Sequence, residues 1–455
     1  MQARPLDDPR SWRYQAAVHG YDRATDPLVH QSDRLPADQS AVWNQCQHNS
    51  WFFLPWHRGY VAYFEQIVRA EIVALGGPDE WALPYWNYSE DQPDAHLVRS
   101  EFREPHLPDG SENALAKARR GRTQQAARHG AATGNFGLDA DDVDLTCLRT
   151  DVFDSPPEGG SSSFGEPQTG FNHDGGSAIG DLEAVPHGSV HVGIGGWMGA
   201  FETAALDPLF WLHHANVDRL WEVWLNRPSS GKNPHEAAWL SEIAFPLHDA
   251  RGNLVKFTAS EVVDTSRAPL SYVYDNVADP TIVALAGLAE EDAAGEDVVE
   301  RRRKAARNAT LIGASDQPVA LSGRAKGQVT IDDRARGAAL AVDDDARLFL
   351  NLENVVGSAN ATAYKVYVNA PDHVESGREH YAGLLPTFGV AEASGKAALH
   401  GGGGLTRVLD ITDLVARLRA RGEWNESKFT VTFVPKHGEL ESHDLSVGRI
   451  SLFQG

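Results

Sequence analysis

Cysteine is almost missing from this sequence: Cys46 and Cys147 are the only two in 455 residues. That excludes a disulfide framework. Positive charge is also in deficit, with 41 Lys and Arg against 63 Asp and Glu and a formal charge of -22. Such a surface repels phosphate backbones and anionic lipid, which argues against a nucleic-acid partner. Long apolar runs are absent, since no window approaches the roughly 18 unbroken apolar residues of a membrane span; no membrane role is expected. The first residues, MQARPLDDPRSWRYQAAV, lack the basic-then-apolar layout of a signal peptide. A cytoplasmic protein is the default expectation, although a trimmed secreted form would read the same. No internal repeat is evident either.

What the chain has is length, aromatic residues and histidine. Its 455 residues exceed one ordinary core and suggest two or three domains. Residues 1–248 are rich in Trp, Phe and His in long periodic segments, the pattern of a mainly α domain, a helical bundle. Inside it, residues 155–180 carry the Gly, Ser and Pro density of an irregular loop, and AKARRGRTQQAARHG reads as a solvated basic helix face. Residues 249–339 form a middle segment ending in a charged linker, with charge blocks over 288–307. From 340 to 455, runs such as ARLFLNLENVV, AYKVYVNAP, TRVLDITDLV, KFTVTFVP and VGRISLF predict an all-β sandwich or barrel.

Nineteen histidines direct attention to metals. In DPLFWLHHANVDRLW (207–221), Asp207 followed by Pro208 is an N-cap with proline at the first helical position. On that helix Phe210, His214, Val217, Trp221 and Trp224 form one buried stripe. His213 then points about 100° away, which selects His214 as the inward residue, and Asp218 one turn later is placed to orient a neighbouring ligand. His187 and His191, four apart, share one helical face. Further upstream His57 opens a helix with Val61, Phe64, Val68 and Ile72 on its inner stripe. Pro55 keeps His48 in the preceding turn, and His19 is the natural third member. One buried histidine alone is commonly a hydrogen-bonded core residue. Two triads are harder to explain as packing, because burying six imidazoles without partners is costly. A set of nitrogen donors without thiolate or carboxylate suits copper, zinc, iron or nickel.

Two segments carry a resemblance. His48 to Glu65, H-x(4)-F-L-P-W-H-R-x-x-V-x-x-x-E, and Asp207 to Asp218, D-P-L-F-W-L-H-H-A-N-V-D, resemble the two copper signatures of the tyrosinase, catechol oxidase and molluscan haemocyanin superfamily. The resemblance implies two copper ions per chain, one at His19, His48 and His57 and one at His187, His191 and His214, with O2 as co-substrate. FPLHDARGNLVKFTASEVVDTSRAPLSYVYDN and the stretch from YKVYVN through FTVTFVPK are similar to the middle and C-terminal segments of plant-type polyphenol oxidases. Plant relatives carry N-terminal disulfides, which this chain cannot form.

The implied reaction is oxidation of a small phenolic substrate, an o-diphenol, to an o-quinone. Hydroxylation of monophenols (tyrosinase) or oxidation of o-aminophenols is the alternative within enzymes. An oxygen carrier of the haemocyanin kind is a third reading, against which size and the lack of repeats argue. The C-x-H pattern at Cys46 resembles members in which that sulfur is joined to the ligand histidine, here His48; a buried free thiol is the other reading, and the one taken for Cys147. Glu183 matches the glutamate that holds a water near the second copper and helps take the phenolic proton, and a solvated loop carboxylate is its alternative. Gly188 stands where many hydroxylating relatives place Asn. Phe201 aligns with the bulky aromatic over the first copper, or is a core aromatic. The β-rich segment is expected either to dock over the site and restrain it or to complete the core.

Overall fold

The computed structural model describes residues 1–90, 92, 94–121, 137–227, 232–281, 308–332, 346–358, 362–371, 378–395, 403–436 and 444–455. Helix α1 (Trp12–His19) starts where the Ser11 side chain accepts the Tyr14 N–H. Helix α2 (Phe53–Ala74) carries Pro55 in its first turn, where a missing N–H costs nothing. Helix α3 (Ser189–Ile194) follows a wider turn over Glu183–Gly188 that Val185 breaks with extended backbone angles. Helix α4 (Pro208–Leu225) opens as the Asp-Pro pair dictates, with the Asp207 carboxylate accepting the Leu209 N–H.

Helices α2 and α4 pack side by side. Phe64 lies flat on Trp211 with ring centres 3.4 Å apart. Arg58, wholly buried, sits over the Trp221 ring at 3.8 Å and pairs with both Asp218 and Glu222. A buried guanidinium is tolerable only when its charge is met. Asp218 also accepts from Tyr272 and Tyr274. It therefore steadies the neighbour of His57 rather than a histidine directly.

The second unit is a ten-stranded, mostly antiparallel sheet. Beside it, strands β2 (Ala244–His248) and β3 (Leu254–Thr258) make a separate hairpin. In the large sheet, β1 (Ala178–Ile179) is followed in space by β10 (Leu405–Asp410), β7 (Leu348–Val356), β12 (Ser446–Gln454), β4 (Thr310–Ala314), β6 (Ala325–Ile331), β11 (Lys428–Pro435), β8 (Ala363–Val368) and β9 (Tyr381–Pro386). The short β5 (Val319–Ala320) pairs with β12. The Arg407 side chain on β10 donates to the Leu384 carbonyl on β9 at 3.4 Å, bringing these two strands of the sheet together.

Three expectations need correction here. The sheet begins at Thr310, before residue 340, because β6 exposes alternate residues and reads as polar linker in the sequence. Part of TRVLDITDLV is helical: α5 (Thr412–Ala420) buries Leu414, Val415 and Leu418 at helical spacing, and Asp410 ends the strand by accepting the Thr412 N–H. The basic stretch is also not simply a solvated face. Its residues 122–136 lie outside the described residues, but Arg120 is buried and clamps Asp207 at 2.6 and 2.8 Å. The charged segment 288–307 lies outside the described residues too. Among the described residues no helix is long and apolar enough to cross a membrane.

The two units exchange parts. Strand β1, contributed by the loop of the helical unit, pairs parallel with β10, and Ile179, Ala184 and Val185 pack into the sheet's core. In return Phe388, just after β9, packs into the helical core. Lys436 from the sheet unit is buried against Asp142 at 2.5 Å and Asp139 at 3.2 Å, and Arg407 meets Asp181 at 2.7 Å.

Candidate metal centre

Each histidine singled out by the sequence is buried in one cluster, and most are held by the same device. A backbone carbonyl takes the Nδ1 proton: Phe201 for His19 at 2.9 Å, Phe53 for His57 at 2.8 Å, Glu183 for His187 at 3.1 Å and Met198 for His191 at 2.6 Å. That fixes the tautomer whose lone pair is on Nε2. The Nε2 atoms of His19, His48, His57 and His187 are buried without a hydrogen-bond partner, and those of His191 and His214 face each other at 3.4 Å. Orphaned buried nitrogens are expensive. An ion bridging them removes the cost, and six neutral imidazoles fit copper.

His48 precedes α2 in irregular chain, and the Gly-rich loop holds it there. The His48 N–H donates to the Asn172 carbonyl at 3.0 Å, and the Asn172 side chain donates back to the His48 carbonyl at 2.9 Å. The two triads adjoin: the His57 and His214 rings stack 4.4 Å apart, inclined by 13°. Burial lowers every one of these imidazoles, His19 to about 3 and His57, His48, His187, His191 and His214 well below the usual range. All are neutral near pH 7, as ligands must be.

His213 departs from the sequence reading. It is fully buried, not turned outward, and its ligand atom lies within 4.8 Å of those of His187 and His191. The stripe argument failed because α4 is buried on every face from Pro208 to Trp221, so periodicity does not distinguish inward from outward. His213 stands beside Tyr88, whereas His214 alone of the pair reaches His57.

Among the other candidates, Glu183 is buried and both its oxygens lie near the Asn49 N–H, at 3.0 and 3.2 Å, so it is no solvated loop carboxylate. Burial pushes it up to about 8. A Cβ on Gly188 would lie 3.1 Å from the Glu183 carbonyl oxygen and 3.6 Å from Phe388. Phe201 stacks on His48 with centres 4.0 Å apart. Cys46 Sγ lies 3.4 Å from His48 Nδ1 and 3.1 Å from His173 Nδ1, and Cys147 is a buried free thiol. The residue that sequence reasoning missed is Phe388. It lies flat against His191, centres 4.0 Å apart and inclined by 8°, and 4.9 Å from Phe201. Its only local signal is a Pro-Thr-Phe-Gly turn after a strand, in which Gly389 adopts φ of 80°.

The sequence model of the common central domain of tyrosinase matches residues 9–227, and a domain of unknown function (DUF7868) matches 308–455. The chain is 35% identical to the tyrosinase HcTyr1 of Hahella sp. (strain CCB-MM4), across 99% of this chain and 94% of that protein. It is 26% identical to a chloroplastic polyphenol oxidase of Malus domestica, across 97% of this chain and 72% of that one. Among solved structures, that of latent apple tyrosinase superposes with a TM-score of 0.62 at 22% identity, covering 100% of this chain and 92% of the other.

Proposed function

The chain belongs to the tyrosinase family, and from that premise we propose that it oxidises o-diphenols to o-quinones with O2 at a pair of copper ions. The observation that carries this reading is the convergence of buried imidazoles: the Nε2 atoms of His19, His48, His57 and His187 have no hydrogen-bond partner, and those of His191 and His214 face each other at 3.4 Å. His19, His48 and His57 would hold one ion and His187, His191 and His214 the other; His214 is preferred to His213 because it faces both His191 and the first group. Bound copper supplies two-electron exchange with O2.

The remaining work falls to the chain itself. The carbonyl-held Nδ1 protons keep the rings aimed, and the surrounding Trp and Phe exclude bulk water. Glu183, anchored by Asn49, accepts the phenolic proton, directly or through a water. Phe201 covers His48 and limits how deeply a ring enters. Gly188 offers no side chain to hold that water. Each of the last two effects is worth one hydrogen bond, about 1 kcal/mol or about fivefold in rate, so diphenols are preferred without monophenols being blocked.

We further propose that residues 308–455 restrain activity by seating Phe388 where a phenol ring would lie. A covalent link between Cys46 Sγ and a His48 ring carbon is the third element, supported by the Sγ approach to that ring; the S–H and ring C–H bonds break and O2 takes up the two electrons and two protons, so intact mass of the active protein should fall by two hydrogens, and a free thiol in fully active protein overturns it. Oxygen uptake by the copper-loaded protein with catechol, L-DOPA, tyrosine, tyramine and o-aminophenol tests the main reading. Catechol is expected to lead. Equal turnover of tyramine and dopamine defeats the diphenol preference, and o-aminophenol well ahead of catechol would move the reading to an aminophenol oxidase.

A further inference from the structure

The aromatic wall around the proposed ligands is not uniform. His19, His48, His57, His187, His191 and His214 mostly meet Phe53, Phe201, Phe210 and Phe388, and phenyl rings are hard to oxidise. On one side only do the described residues set an indole or a phenol against these imidazoles. The Trp56 ring lies 4.7 Å from that of His57 and 6.2 Å from that of His19, and the Tyr60 ring 6.4 Å from that of His19.

From there a single file of oxidisable rings leads outward. Trp56 and Tyr60, four apart on α2, share a face with ring centres 4.7 Å apart. Tyr60 lies 4.8 Å from Trp211 on α4, and Trp211 lies 6.2 Å from Trp12 at the start of α1. Trp56, Tyr60 and Trp211 are at most 1% exposed, whereas Trp12 is only partly buried. The Trp12 and Trp211 N–H groups donate to the Leu206 and Ala205 carbonyls at 3.0 and 3.2 Å, and the Tyr60 O–H donates to the Gln15 carbonyl. A carbonyl accepts a hydrogen bond but takes no proton at neutral pH. Electrons can therefore pass along the file while its protons stay in place. A positive charge left on a buried indole is costly, so it does not rest on Trp56 or Trp211 and passes to Trp12, beside water.

We propose that this file is an electron route that protects the ligand histidines when O2 is reduced with no phenol bound. The inference rests on the copper and O2 chemistry read above. Reduction of O2 to two waters takes four electrons and four protons; a reduced copper pair supplies two of the electrons and a bound o-diphenol the other two. Without that diphenol, the file delivers the last two one at a time, from Trp12 through Trp211 to Trp56 with Tyr60 as the bridging ring, and the protons come from water. Each Trp12 cation is refilled by a phenol in solution, which loses one electron and releases one proton. His19 and His57 are spared as electron donors.

The full-length copper-loaded protein, reduced, freed of reductant and exposed to air through repeated cycles without phenol, should gain oxygen at Trp12 in peptide mass maps. Freeze-quenched samples should show an indole radical by electron paramagnetic resonance. Copper-free protein treated alike should show neither. Trp12→Phe, at the surface end, and Trp211→Phe, in the middle, should each move the damage inward to Trp56, His57 and His19 and shorten copper retention severalfold, with catechol turnover unchanged. Melting temperature shows that each variant is folded, and Trp12→Phe decides alone if Trp211→Phe is not. An unchanged damage map and unchanged copper retention in Trp12→Phe, or equal oxidation of Trp12 in copper-free protein, overturns the proposal. Failure to bind copper defeats the functional reading and this proposal together, whereas copper bound and catechol oxidised with no damage at Trp12 defeats this proposal alone.

Discussion

Around α2 and α4 the interior mixes rings with polar atoms: Trp56, Trp211 and Trp221 are wholly buried beside a complete Arg58 ion pair and imidazoles whose Nε2 atoms meet nothing. Inside the sheet the core is mainly aliphatic, with Leu350, Leu352, Val431, Val447 and Ile450 beside Tyr364, Phe429 and Phe433. The sheet satisfies its backbone by ladders, one of them with β1 from the helical half. The helical half gathers imidazoles with unpartnered nitrogens at its centre and surrounds them with buried aromatic rings.

The sharpest break between the halves is a pair of substitutions. His57→Ala is expected to remove copper from its group and abolish oxidation, whereas Leu350→Ala should cost about 2–5 kcal/mol of stability and leave both coppers in place; metal content and melting temperature read the two effects. His213→Ala should retain copper, and its loss there with retention in His214→Ala would reverse the ligand choice. Next comes the seam. Lys436→Ala removes the buried cation that Asp142 and Asp139 share, a loss of about 3–5 kcal/mol by analogy with other buried pairs, expected as early proteolysis of the sheet unit and higher catechol turnover. A milder change is Phe388→Ala, which removes one aromatic stack and should raise turnover about tenfold at constant copper content; unchanged turnover would assign the sheet a purely structural role.

Acid supplies the finest test. In the folded metal-free chain His19 and His213 protonate only near about 3, against about 6.5 when unfolded. The folded values lie below the unfolded ones, so the unfolded chain takes up protons first. Stability is full above about pH 6.5 and falls as pH falls toward 3, by about 1.4 kcal/mol per pH unit for each such histidine. Hydrogen exchange should show the helical half losing protection ahead of the sheet, and equal loss in both would blur the distinction between them.

How legible each half was in the sequence follows the same division. The Asp207-Pro208 cap, the start of α2 around Pro55 and the strands from Leu348 onward are written in local pattern, because one residue's neighbours in sequence decide them. The histidines were recognisable since donors of one type recur at fixed spacing. Phe388 and Arg120 were not, for each acts across more than a dozen residues of chain on a partner no spacing announces. His213 was misplaced because a helix buried all round has no outward face for periodicity to find. Strand β6 hid because its exposed residues outnumber its buried ones.

The ring resting on His191 belongs to a part of the chain far downstream of every proposed ligand. A ribosome therefore delivers all six histidines before it delivers Phe388, with roughly 10–35 s between His214 and Phe388 at about 5–20 residues per second. During that interval the helical half has no stopper. If the sheet unit covers the site as proposed, metal supplied while translation is under way would meet an open cup, and metal supplied to the finished chain would wait for the seam at Lys436 and Arg407 to part. Copper given during expression and copper given to purified protein should accordingly load at very different rates, with Phe388→Ala erasing most of the gap.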